Sequence, residues 1–68
     1  MLRVSVRVPA AEAEIARALL LELAPTGFEE VTLGEQTELA AYTDGAGAQT
    51  IRSAFTEPVL VARVPDGW

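Results

Sequence analysis

Cysteine, histidine and lysine are all missing from these 68 residues, and aromatic side chains make up only 6% of them. Without Cys there is no disulfide framework, no thiolate nucleophile and no sulfur ligand for a metal. Without His the commonest metal ligand and general base is gone too. Stability must come from packing alone. No apolar run exceeds four residues, too short to cross a bilayer, and the start Met1-Leu2-Arg3-Val4-Ser5 has no basic region leading into an apolar stretch. The expected location is the cytoplasm. Basic charge is scarce: five Arg stand against ten acidic residues, a net charge of −5. That balance repels phosphate backbones and anionic lipid, and argues against nucleic acid or membrane as partner. The length allows one small domain, which buries only about 60% of its unfolded surface and leaves little room for a deep internal pocket. Half of the residues are hydrophobic, enough for a core.

Leu2 to Val8 alternate strictly, with Leu2, Val4, Val6 and Val8 on one side and Arg3, Ser5 and Arg7 on the other, which predicts a strand packed on one face. Pro9 breaks the ladder. Residues Ala10 to Ala24 are rich in Ala, Leu, Glu and Arg and predict a helix, with Ile15, Ala16, Leu19, Leu20 and Leu23 in one stripe. Glu12 and Glu14 sit in its first turns, where the helix dipole favours negative charge, and Pro25-Thr26-Gly27 ends it. Phe28–Leu33 and Glu38–Thr43 read as two strands joined by Gly34-Glu35-Gln36-Thr37. Val31 and Leu33 share one face, as do Leu39 and Ala41, while Phe28, Glu30, Thr32, Glu38, Ala40 and Tyr42 are expected on the opposite one. Thr43-Asp44-Gly45 forms a turn with a helix cap, and Ala46 to Phe55, apolar at Ala48, Ile51 and Phe55, predicts a second helix. Pro58 cannot continue it. Val59 to Val64 reads as a last strand with Leu60, Ala62 and Val64 inward and Val59, Val61 and Arg63 outward.

The order βαββαβ predicts an α+β, ferredoxin-like domain over residues 1–64: a four-stranded antiparallel sheet in the order 4-1-3-2 with both helices on one face. The expected core is Val4, Val6, Ile15, Leu19, Leu23, Val31, Leu39, Ile51, Phe55, Leu60 and Ala62. Function then falls to the open sheet face, the strand edges or the helix surface.

Chemistry is sparse. A Ser or Thr nucleophile would find only surface carboxylates as base. Gly45-Ala46-Gly47 has a superficial likeness to a dinucleotide loop, but the third Gly is missing and a turn leading into a helix accounts for it. Glu29 and Glu30 are adjacent on a strand and point to opposite faces, so they cannot act together across one bond. No catalytic, cofactor-binding or metal-ligating residue is expected, and the chain by itself is expected not to be an enzyme. The projected open face gathers Arg3, Arg7, Arg63 and Tyr42, with Phe28, Val59 and Val61 around them. An RNA-binding sheet stacks bases on two or three aromatics of its central strands, and here those strands offer Tyr42 alone. A solvated face and a protein or interdomain contact remain as readings; in the second, Arg3, Arg7, Tyr42 and Arg63 are the candidate partner-binding residues. Leu21 falls away from the helix stripe beside Glu14 and Arg17, as a tolerated exposed Leu or a contact residue.

The opening Leu2-Arg3-Val4-Ser5-Val6-Arg7-Val8-Pro9-Ala10 with its Ala/Glu/Leu helix, the stretch Glu38-Leu39-Ala40-Ala41-Tyr42, and the ending Val64-Pro65-Asp66-Gly67-Trp68 resemble the N-terminal region of the bacterial ribosomal-protein methyltransferases of the PrmA family. The resemblance covers the whole chain. It implies a substrate-recognition domain that binds a large-subunit ribosomal protein, with residues 65–68 beginning the linker to a catalytic methyltransferase domain. In that family the catalytic domain transfers methyl groups from S-adenosylmethionine to amino groups of the substrate. The cofactor site lies in a Rossmann-like domain with no counterpart in these residues, so the chain alone is expected neither to bind S-adenosylmethionine nor to methylate. Two other classes share the topology. A regulatory small-molecule module of the ACT type usually has a Gly-containing turn after the first strand, where this chain has Val8-Pro9-Ala10; a heavy-metal module needs a Cys pair. A stand-alone protein-interaction domain is a further alternative.

Overall fold

The computed structural model describes residues 1–24 and 27–65. Alternating Val4, Val6 and Val8, each at most 2% exposed, put β1 (Leu2–Pro9) in the middle of the sheet. It pairs antiparallel with β3 (Gln36–Thr43) on one side and with β4 (Val59–Arg63) on the other, and β2 (Glu29–Leu33) flanks β3. The sheet order is β2-β3-β1-β4, and with α1 (Ala13–Leu23) and α2 (Gly45–Ala54) the chain has the ferredoxin-like βαββαβ arrangement. Both helices lie on one face, where Ala13, Ala16 and Leu20 of α1 and Ala48 and Ile51 of α2 join Val4, Val6, Val8, Leu39 and Ala41 in a single core. Among the described residues no helix is long and apolar enough to cross a membrane.

Pro9 ends the first strand as its chemistry requires, but the next three residues, Ala10–Glu12, form a 3-10 turn before α1 begins at Ala13. The Ala10 N–H donates to the Glu35 carbonyl at 2.9 Å, tying this turn to the β2–β3 hairpin. The hairpin is tighter than the expected four-residue connection Gly34–Thr37. Leu33 opposes Gln36, leaving a two-residue turn in which Gly34 has φ 64°. Gly at the first turn position with positive φ is the type II′ geometry, whose twist matches that of paired strands. At the other helix, Asp44 caps α2 by accepting from the Gly47 N–H at 2.8 Å. Phe55 turns extended ahead of Pro58, so α2 stops at Ala54.

Four expected core residues are exposed, and a fifth, Leu19, is only half-buried outside the core cluster. Ile15 is 73% exposed, because α1 beds its small residues, Ala13 and Ala16, against the sheet. At about 100° per residue, that choice turns Ile15 roughly 130° away from the middle of the buried stripe. Leu19, a quarter-turn off, is half-buried, as are Leu23 and Phe55. Val31 is 47% exposed on the open face. A hairpin loop with an even number of residues makes odd positions of one strand face even positions of the other, so with Leu39 and Ala41 inward, β2 turns Phe28, Glu30 and Thr32 to the helices. Phe28 accordingly packs on the core. The last strand is inverted too: Val4 opposes Val61 and Val6 opposes Val59, which turns Val59, Val61 and Arg63 toward the helix side. Leu60 and Ala62 consequently stand exposed on the open face, Leu60 at 63%. The strand also stops at Arg63, one residue short of Val64. The expected linker start falls partly beyond view, since Asp66, Gly67 and Trp68 lie outside the described residues, as do Pro25 and Thr26 of the turn after α1.

Candidate functional site: the open sheet face

The face away from the helices is built in cross-strand rows. Glu29, Ala40, Ser5 and Leu60 form one; Val31, Glu38 and Arg7 a second; Tyr42, Arg3 and Ala62 a third. Period-two alternation delivers each of these side chains to the same surface. Arg3 opposes Tyr42 and Glu38 opposes Arg7, so a contact between Arg3 and Glu38 has to cross the Ser5–Ala40 row lying between them. That contact exists. Arg3 Nη2 donates to Glu38 Oε1 at 3.1 Å, and Arg7 Nε donates to Glu38 Oε2 at 3.0 Å. The crossing ion pair explains why Ser5 and Ala40, on a face without helices, are only 5% and 1% exposed.

One carboxylate between two guanidiniums has clear electrostatic consequences. Hydrogen bonds from Arg3 and then Arg7 hold the Glu38 carboxyl below its usual range, and Glu38 in turn holds the Arg3 guanidinium above its ordinary value. A second bridge, on the helix side, is bidentate: Arg17 of α1 donates from Nε to Glu30 Oε1 at 2.7 Å and from Nη2 to Glu30 Oε2 at 2.9 Å. It lowers the Glu30 carboxyl and clamps α1 to the edge strand β2.

Three of the four candidate partner-binding residues, Arg3, Arg7 and Tyr42, do meet on this face. Arg63 does not: it opposes Leu2, whose side chain packs on the core, and so belongs to the other side of the sheet. The sequence reading missed Val31, Leu33, Leu60 and Glu29 as members of the face. Even-length hairpin parity would have found those on β2; for Leu60, in the unbroken apolar run Val59-Leu60-Val61-Ala62, no periodic signal exists. Tyr42 is 37% exposed, and its hydroxyl reaches Glu29 Oε2 at 3.4 Å, a long hydrogen bond.

The result is a surface of exposed Val31, Leu33, Tyr42, Leu60 and Ala62 around a closed ion-pair cluster. Its two Arg and two Glu cancel, so the net negative charge of the chain resides elsewhere. Guanidiniums committed to Glu38 and, among the described residues, a single aromatic on this face make a poor platform for stacking bases or gripping phosphates. Ser5 lies beneath the Arg3–Glu38 bridge, 5% exposed. A smaller concavity of about 160 Å³ lies on the helix side between Ile15 and Leu19 of α1 and Phe55 after α2, with Glu12 and Glu57 among its lining residues.

Fold and face together define a ferredoxin-like α+β domain with an uncovered, amphipathic, electrically balanced sheet surface. No family model, curated protein or solved structure matches the chain.

Proposed function

We propose that this chain is a protein-recognition domain whose open sheet face binds a large-subunit ribosomal protein, serving an S-adenosylmethionine-dependent methyltransferase domain elsewhere in the polypeptide. The observation that carries the reading is the exposed apolar surface on that face, with Leu60 at 63%, Val31 at 47%, Leu33 at 41% and Tyr42 at 37%. Exposed apolar side chains on both flanks of charges that are already paired with each other suit a protein contact, which buries apolar area without leaving a charge unpaired. The class of partner comes from the resemblance of the opening strand, of Glu38–Tyr42 and of the Pro65–Trp68 ending to the methyltransferase family. The acidic excess of the remaining surface fits a basic partner, steering the approach at long range while the contact itself is neutral. In this reading the chain makes and breaks no bonds, and S-adenosylmethionine would be held by the catalytic domain.

Titrating isotope-labelled chain with the ribosomal protein tests it. Amide shifts in β1 and β3 around Arg3, Arg7 and Tyr42 and in β4 at Leu60 are expected. Tyr42→Ala should weaken binding by about 1 to 2 kcal/mol. Shifts confined to α1 near Arg17 and Leu21, with β1 and β3 silent, would refute the sheet-face assignment.

A further inference from the structure

Beyond that recognition role, the sheet ends on one side in a strand whose outer edge pairs with no strand among the described residues and whose sequence is its own antiparallel complement. Around Leu60 the chain reads Glu57-Pro58-Val59-Leu60-Val61-Ala62-Arg63. Laid antiparallel against a second copy and centred on Leu60, it opposes Leu60 to Leu60, Val59 to Val61, Pro58 to Ala62 and Glu57 to Arg63. Apolar residues meet apolar residues of similar size, and an acid meets a base at both ends.

The backbone phase agrees with this alignment. The Val64 N–H donates to the Met1 carbonyl at 3.0 Å, and Leu2 opposes Arg63. Hydrogen-bonded pairs alternate along an antiparallel ladder, so the even residues of β4 bond inward to β1. The N–H and C=O groups of Val59, Val61 and Arg63 therefore point to the free edge. In the Leu60-centred alignment Val59 and Val61 fall on the hydrogen-bonding positions opposite each other, while Arg63 faces Glu57, which lies in the bend just before β4 and offers its charge. Pro58, which has no N–H to give, falls on a position that needs none. Leu60, 63% exposed, meets its twin at a non-hydrogen-bonded position, where side chains approach closest, and Val61, 41% exposed, gains cover on the helix side.

The opposite edge lacks every one of these features. β2 carries Glu29 and Glu30 at one end with no base at the other, and Arg17 lies against Glu30 from α1. Natural sheets protect an edge with such charges, whereas β4 has none between Val59 and Ala62.

We propose that β4 is a homodimerisation edge, joining two copies antiparallel about Leu60 into one continuous eight-stranded sheet. A single short strand pair makes a small interface, so the dimer is weak and concentration-dependent.

Sedimentation velocity of the 68-residue chain from about 10 µM to about 1 mM tests it, since interfaces of this size dissociate readily. A dimer growing in with concentration is expected. Arg63→Glu and Glu57→Arg each place like charges opposite one another twice, and should each raise the dissociation constant about tenfold or more. Mixed in equal amounts the two variants regain opposite charges at both ends and should form a heterodimer of near wild-type strength. Val61→Pro removes an edge N–H that β1 does not use and should abolish the dimer. The charge reversals sit on exposed or half-buried side chains at the strand ends, so they decide the matter independently of any effect of proline on folding. A monomer throughout the range, a dimer indifferent to both reversals, or a mixture no stronger than its components would each overturn the proposal.

Discussion

Replacing Leu20 by Ala probes the rotation of α1 about its own axis, the point on which periodicity and packing disagree most. Leu20 is 1% exposed and belongs to the core cluster, whereas Ile15, five residues earlier on the same helix, is 73% exposed. Truncating a fully buried Leu removes its transfer free energy and leaves a cavity, at a cost of about 2 to 5 kcal/mol. A chain of this length has roughly 3 to 10 kcal/mol of total stability, so Leu20→Ala removes about a fifth of it at the least. Ile15→Ala deletes methyl groups that already touch water and substitutes the best helix former for a β-branched residue. Its effect should stay within about 0.5 kcal/mol of zero. Thermal unfolding followed by far-UV circular dichroism separates the two. For a domain of this size each kcal/mol moves the midpoint by about 4 to 8 °C, so a mid-range loss of about 3 kcal/mol lowers it by roughly 12 to 24 °C. Ile15→Ala should leave it almost in place. Comparable losses for both variants would mean that α1 presents the Ile15–Leu19 side to the sheet, and the packing described above would be wrong.

Asp44→Ala removes the side chain that accepts from the Gly47 N–H and should cost about 1 kcal/mol, read as a lower urea midpoint with an unchanged slope. Gly34→Ala places a Cβ at φ 64° in the hairpin turn, where space is free but the conformation is unfavourable, and should cost about 1 kcal/mol. Acid should weaken the fold through two carboxyls. Glu38 beside Arg3 and Arg7, and Glu30 beside Arg17, both titrate in the folded state below the ordinary 4.5, so the unfolded chain takes up their protons first. Their contribution is complete above about pH 5 and disappears as pH falls through the folded-state values. Glu38→Gln should flatten the dependence of the unfolding midpoint on pH below that point, and an unchanged slope would contradict the Arg3–Glu38–Arg7 cluster.

The sequence by itself determined the elements, their order and the central strand pair. Val4, Val6 and Val8 alternate against Arg3, Ser5 and Arg7, and Leu39 and Ala41 against Glu38 and Tyr42, so the buried and open sides of β1 and β3 follow from period two. Pro9, Gly34, Asp44 and Pro58 set boundaries through chemistry local to each residue. The facing of β2 was also written there, in the even length of its turn, which couples the face of Val31 to that of Glu38. Only the tertiary structure decided the rest. Val59-Leu60-Val61-Ala62 is apolar at every position, so either face could go inward; pairing with β1 chose Val59 and Val61, and carried Arg63 away from Arg3 and Arg7. The stripe of α1 was broad, and the close seat available to Ala13 and Ala16 chose its buried side, leaving Ile15 out. Periodicity tells which residues share a face. Which way an ambiguous face points depends on the surface that distant parts of the chain leave to be covered, and no local pattern carries that.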